Sequence, residues 1–136
     1  MLGKDFRSFL EGVKEKLPSN YIEIEKEISP LYETTAIVTK LEQQRRTPIL
    51  HFKNVKDTEF SVVVNTCASR TTVALGLGVD KRELPQKYRD ALNNLIEPNL
   101  VTEGPVQEVI QVGDQVDIMK LPQMQYHDTD GSPYIS

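Results

Sequence analysis

A chain of 136 residues fits one domain that buries roughly two thirds of its unfolded surface, and 38% apolar with 26% charged residues describes a globular fold with a modest core. A formal net charge of −4 argues against a nucleic-acid or anionic-membrane surface, because both select basic patches. No apolar run approaches the roughly 20 residues that span a bilayer, and the single cysteine, Cys67, excludes an intrachain disulfide framework.

Met1-Leu2-Gly3-Lys4-Asp5 leads into a charged amphipathic segment rather than an apolar leader, so no signal peptide is expected and the expected location is cytoplasmic. Phe6, Phe9, Leu10, Val13 and Leu17 fall on one face of a helix that Pro18-Ser19-Asn20 ends. Tyr21 to Glu25 alternates apolar and polar, the pattern of a strand with one buried face. Ser29-Pro30 reads as the N-cap and first residue of a second helix, with Ala36, Ile37 and Leu41 inward. That helix runs to about Arg46, where Arg45-Arg46 complements its dipole.

Pro48 to Phe52 and Phe60 to Asn65 predict two strands of a hairpin around Asn54-Val55-Lys56-Asp57, the second buried on both faces. Cys67 follows the run Val62-Val63-Val64 and is expected to be a buried, inert thiol. Ser69 caps a helix over Arg70 to Leu77, which Gly76 and Gly78 end, and Tyr88, Leu92 and Leu95 stripe another from Leu84 to Leu95. Val106, Val109, Ile110 and Val112 suggest one more strand. From Asp114 onward nothing is periodic. The expected fold class is α+β: a small mixed sheet with helices packed on it, residues 1–112 as the domain and 113–136 as an extended linker or arm.

Candidate chemistry is sparse. His51 points away from Leu50 and Phe52 and reads as structural or solvent-exposed. His127-Asp128-Thr129-Asp130 is an incomplete metal set and a better turn with Asx-type bonds before Gly131. Gly76-Leu77-Gly78 lacks the order of a dinucleotide fingerprint. Ser69-Arg70-Thr71-Thr72 offers hydroxyls and a cation to a phosphate, but capping alone explains them. No catalytic, cofactor-binding or metal-binding residue is assigned from the residues alone.

The chain resembles the N-terminal portion of the UbiD family, the prenylated-flavin decarboxylases. The resemblance rests on Asp5-Phe6-Arg7-Ser8-Phe9-Leu10, Glu23 to Pro30, Pro48 to Lys56, Ala68-Ser69-Arg70 and Ala74-Leu75-Gly76-Leu77. Its most specific carriers are Gly104-Pro105-Val106-Gln107-Glu108-Val109, Val116-Asp117-Ile118-Met119-Lys120-Leu121-Pro122 and His127 to Ser136.

The resemblance implies an arm leading toward a split β-barrel flavin domain that this chain lacks, and then a C-terminal domain. It implies reversible decarboxylation of aromatic or α,β-unsaturated acids with prenylated FMN, Mn²⁺ and K⁺. The family's metal ligands, arginine and glutamates fall beyond Ser136, so none is carried over, and this chain alone is expected to be inactive. His127 and Tyr134 lie on the approach to the flavin pocket. Tyr126 stands where the family often has a second histidine, and Ser132 where it often has glycine. The expected partners are the remainder of the decarboxylase, in a homo-oligomer, or a partner subunit if this is a naturally short, non-catalytic interaction module.

Overall fold

The computed structural model describes residues 5–135. Its first helix, α1 (Phe6–Lys16), starts where Asp5 accepts the Ser8 N–H at 2.9 Å, and Lys14 and Lys16 oppose the dipole in its last turn. Leu10 and Val13 are buried against Ile49, with Phe9 and Leu17 beside them. Phe6, expected on that face, is exposed; it lies one turn ahead of the cluster, its ring 6.3 Å from that of Phe9.

Strand β1 (Tyr21–Ile24), helix α2 (Glu33–Gln43) and strand β2 (Ile49–Phe52) form a parallel crossover unit, with Tyr21 opposite Ile49 and Ile24 opposite Phe52. Strand β3 (Val62–Val64) returns antiparallel to β2, so the sheet is mixed and ordered β1-β2-β3. Helices cover both faces. Leu50 and Phe52 lie with Ile22, Ile24, Val62 and Val64 beneath Ile37, Val38 and Leu41 of α2. Tyr21, Ile49 and Val63 face α1. β1 therefore contributes apolar surface to both sides, because the Tyr21 ring lies under the Lys14 ammonium, 4.9 Å from its centroid.

α2 begins at Glu33 rather than Pro30. Tyr32 takes a left-handed φ of 66°, and its N–H donates to the Gln125 carbonyl at 2.8 Å, while the Gln125 N–H donates to Pro30 O at 3.0 Å. Pairing with this distant segment removes residues 30–32 from the helix. The helix also ends at Gln43, because Arg45 adopts φ 57° and the Arg46 N–H turns back to Leu41 O at 3.0 Å. With the later start, Val38 packs inward, whereas Ala36, expected there, is exposed.

Helix α3 (Arg70–Leu77) is capped by Ser69 Oγ, which accepts the Thr71 N–H at 3.2 Å, and it ends at Gly78 with φ 67°. Gly76 lets α3 sit on α1, since a Cβ there would lie 3.2 Å from the Phe9 ring. Cys67, expected to be buried, is exposed: β3 stops at Val64 and Asn65 turns the chain outward with φ 64°.

Helix α4 (Leu84–Asn93) forms as expected, but Tyr88 and Leu92 are exposed, as is Leu95 just beyond it. The strand expected over Val106–Val112 is absent. Pro105–Gln107 is a 3₁₀ turn, and no strand edge among the described residues pairs with the rest. Further 3₁₀ turns at Gly113–Gln115 and Ile118–Lys120 lead to Met124, which is buried with Ile28, Leu50, Phe52 and Val55. No helix among the described residues is long and apolar enough to cross a membrane.

Candidate functional site

The parallel register of β1 and β2 places Glu23 opposite His51, so alternation brings Tyr21, Glu23 and His51 to the α1 side of the sheet. The Tyr21 hydroxyl lies 2.6 Å from His51 Nδ1, and His51 Nε2 lies 3.0 Å from Ser61 Oγ on the hairpin. Burial raises the Tyr21 phenol pKa. The imidazole tautomer sets which way each of these two hydrogen bonds runs.

His51 is pushed below the ordinary histidine range, first by burial and then by Lys53, with Glu23 opposing. The Glu23 carboxyl is held low chiefly by its bond from Lys14 at 2.9 Å, and that bond raises Lys14. A neutral imidazole between two hydroxyls and a lysine-bound carboxylate ties strand to strand. Both of its ring nitrogens have hydroxyl partners.

The second cluster is the loop after Met124. One Asp130 oxygen accepts the N–H groups of Tyr126 at 3.0 Å and His127 at 2.9 Å, as expected of an Asx-type turn. The Gln125 amide donates to the carbonyls of His127 and Asp130. Met124 and Tyr134 exchange both backbone hydrogen bonds at 2.9 Å, and the Tyr126 and Tyr134 rings meet edge-on at 5.5 Å. Tyr134 is raised above the ordinary phenol range, chiefly by burial. His127 itself is exposed. A cleft of about 310 Å³ between this loop and α2 is lined by Thr34, Thr35, Val38, Val64, Asn65, Tyr126 and His127.

The remaining candidates stay apart from both clusters. Ser69 and Thr72 are occupied locally, since Thr72 Oγ1 donates to Ser69 O at 2.8 Å and Ser69 Oγ caps Thr71. Among the described residues no three His, Cys, Asp or Glu side chains converge as a metal set. Sequence reasoning missed Tyr21, Glu23 and Ser61 as partners of His51. Strand alternation placed His51 and Glu23 on definite faces, but nothing local signals the register joining strands 30 residues apart.

The chain matches the 3-octaprenyl-4-hydroxybenzoate carboxy-lyase N-terminal domain over residues 18–92. It is 33% identical over 131 residues to the anhydromevalonate phosphate decarboxylase of Methanosarcina mazei, covering 96% of this chain and 28% of that protein. The pyrrole-2-carboxylic acid decarboxylase of Pseudomonas aeruginosa is 26% identical, with the same coverages.

Among solved structures, an evolved dimeric form of the UbiD-class enzyme HmfF from Pelotomaculum thermopropionicum, in complex with prFMN, matches with a TM-score of 0.82 and 27% identity over 98% of this chain and 30% of that one. The closed form of the vanillic acid decarboxylase of Sedimentibacter hydroxybenzoicus matches with a TM-score of 0.84 and 25% identity over 100% of this chain and 30% of that one. The chain thus spans less than a third of the length of these relatives. The small mixed sheet with helices on both faces and the match over residues 18–92 agree, and the chain belongs to the UbiD N-terminal domain family.

Proposed function

We propose that this chain is the N-terminal domain of a decarboxylase acting reversibly on aromatic or α,β-unsaturated carboxylic acids. Coverage carries the reading: decarboxylases of two different acids align with 96% of the chain, and a prFMN-bound enzyme superposes on 98% of it. The whole enzyme would use prenylated FMN, which supplies an electron sink for loss of CO₂, together with Mn²⁺ and K⁺.

We carry no residue of this chain over to that group: the hydroxyls of Ser69 and Thr72 serve helix α3. No chemical step is assigned to this chain. Its part is read as structural: residues 1–112 as the domain, and 113–136 as the arm that packs Met124 into the core and carries the His127 to Tyr134 loop toward the flavin-binding portion. The complete enzyme is read as a cytoplasmic homo-oligomer.

The test compares the natural polypeptide containing this sequence with the 136-residue chain. Flavin absorbance with intact mass, and CO₂ release from a panel of aromatic and unsaturated acids, are measured on both. The natural protein is expected to carry prenylated FMN and decarboxylate at least one acid, and the short chain to do neither. A natural protein with neither property overturns the enzyme reading. Stoichiometric prenylated FMN on the short chain overturns the assignment of the cofactor to other parts of the enzyme.

A further inference from the structure

Residues 106–112 have the composition of a strand without its pairing. Val106, Val109, Ile110 and Val112 are β-branched, and breakers bound the segment at Gly104-Pro105 and Gly113-Asp114. Yet those four side chains are 67–90% exposed. Among the described residues, the N–H groups of Val109, Ile110, Gln111 and Val112 donate to no backbone carbonyl. Val112 is already extended, at φ −135° and ψ 150°.

β-branched side chains favour strands because they pack on a pleated surface, and here no such surface is offered. Leu100 and Val101 before the segment and Val116 after it are exposed as well. Runs of this kind mark surfaces meant to be covered. The extent of the relatives says by what: the same fold occurs in chains of which it makes up 30%, so most of their polypeptide is available to cover it.

We propose that residues 109–112, just past the 3₁₀ turn Pro105–Gln107, dock as an added strand on an exposed sheet edge in the remainder of the decarboxylase. This rests on the reading above, which supplies that remainder. The two-residue period then sets Ile110 and Val112 on one face, toward the partner's apolar side chains, and Val109 on the other. Docking makes the backbone hydrogen bonds that the segment lacks, so order and burial arrive together.

The test is amide hydrogen exchange on the natural polypeptide and on the 136-residue chain. The amides of residues 109–112 are expected to exchange about 100-fold or more slowly in the natural protein, as paired amides do. Equal rates in the two overturn the docking. Val109→Pro provides a second arm, since proline removes a ladder donor. It is expected to lower the melting temperature of the natural protein and leave that of the short chain unchanged. An equal effect on both would also overturn the docking.

Protection appearing in the short chain as its concentration rises would assign the edge to a second copy and overturn the proposed partner. If the natural protein binds prenylated FMN and releases CO₂ while these amides stay fast, the docking alone falls. Protection without cofactor or activity overturns the decarboxylase reading and leaves the strand docked.

Discussion

His51 sits where two strands and a hairpin meet, and burial sets its charge more than the carboxylate beside it does. Glu23, 3.7 Å away, favours the imidazolium, but desolvation and the ammonium of Lys53 outweigh it, with Lys14 also opposing protonation and Glu25 weakly favouring it. The folded pKa therefore lies below the unfolded value of 6.5. Between those two values the unfolded chain binds more protons, so stability is full above pH 6.5 and declines as the pH falls toward the folded pKa. Glu23 adds its own loss only in more acid solution, near and below its ordinary 4.5. His51→Gln is expected to flatten the decline that begins as the pH falls through 6.5, read as urea midpoints at each pH. An unchanged pH dependence would mean His51 does not carry it. At this scale the sequence shows on which face His51 lies but not what it touches. Tyr21, Glu23 and Ser61 become its partners only through a strand register.

Helix ends show how far local signals reach. Ser69 and Gly78 bound α3 in the sequence as in the structure, because cap and stop are both local: a hydroxyl on the Thr71 N–H and a residue at positive φ. α2 defeats the same reasoning at its start, because Gln125, far along the chain, takes the backbone groups of Pro30 and Tyr32. Its end carries a local cost, since Arg45 occupies the left-handed position that glycine fills without strain. Arg45→Gly is expected to stabilise the chain by about 1 kcal/mol, seen as a melting temperature higher by several degrees. Loss of stability would mean that the arginine side chain contributes more than the backbone strain removes. Residues 106–112 fail for a third reason. Their pattern is that of a strand, but a strand needs a neighbour, and among the described residues none is offered.

Across the whole molecule, the two clusters on either face of the sheet draw on residues far apart in sequence, and Met124 is the most distant of their fully buried members. The change of character after Pro98 is legible from composition and periodicity. The return of Met124 to the core is not, because one buried methionine in an aperiodic segment makes no pattern. Met124→Ala is expected to cost about 2–5 kcal/mol, as for other buried large-to-small changes, and to lower the urea midpoint at constant slope. A cost under about 0.5 kcal/mol would place the segment outside the cooperative unit. The position of that side chain also sets a clock. A ribosome adding about 5–20 residues per second reaches Met124 roughly 3–12 s after Val64, which completes the last strand of the sheet. Throughout that interval Leu50, Phe52 and Val55 lack one of their buried neighbours, so the nascent chain carries a partly open core that chaperones can reach until translation closes it.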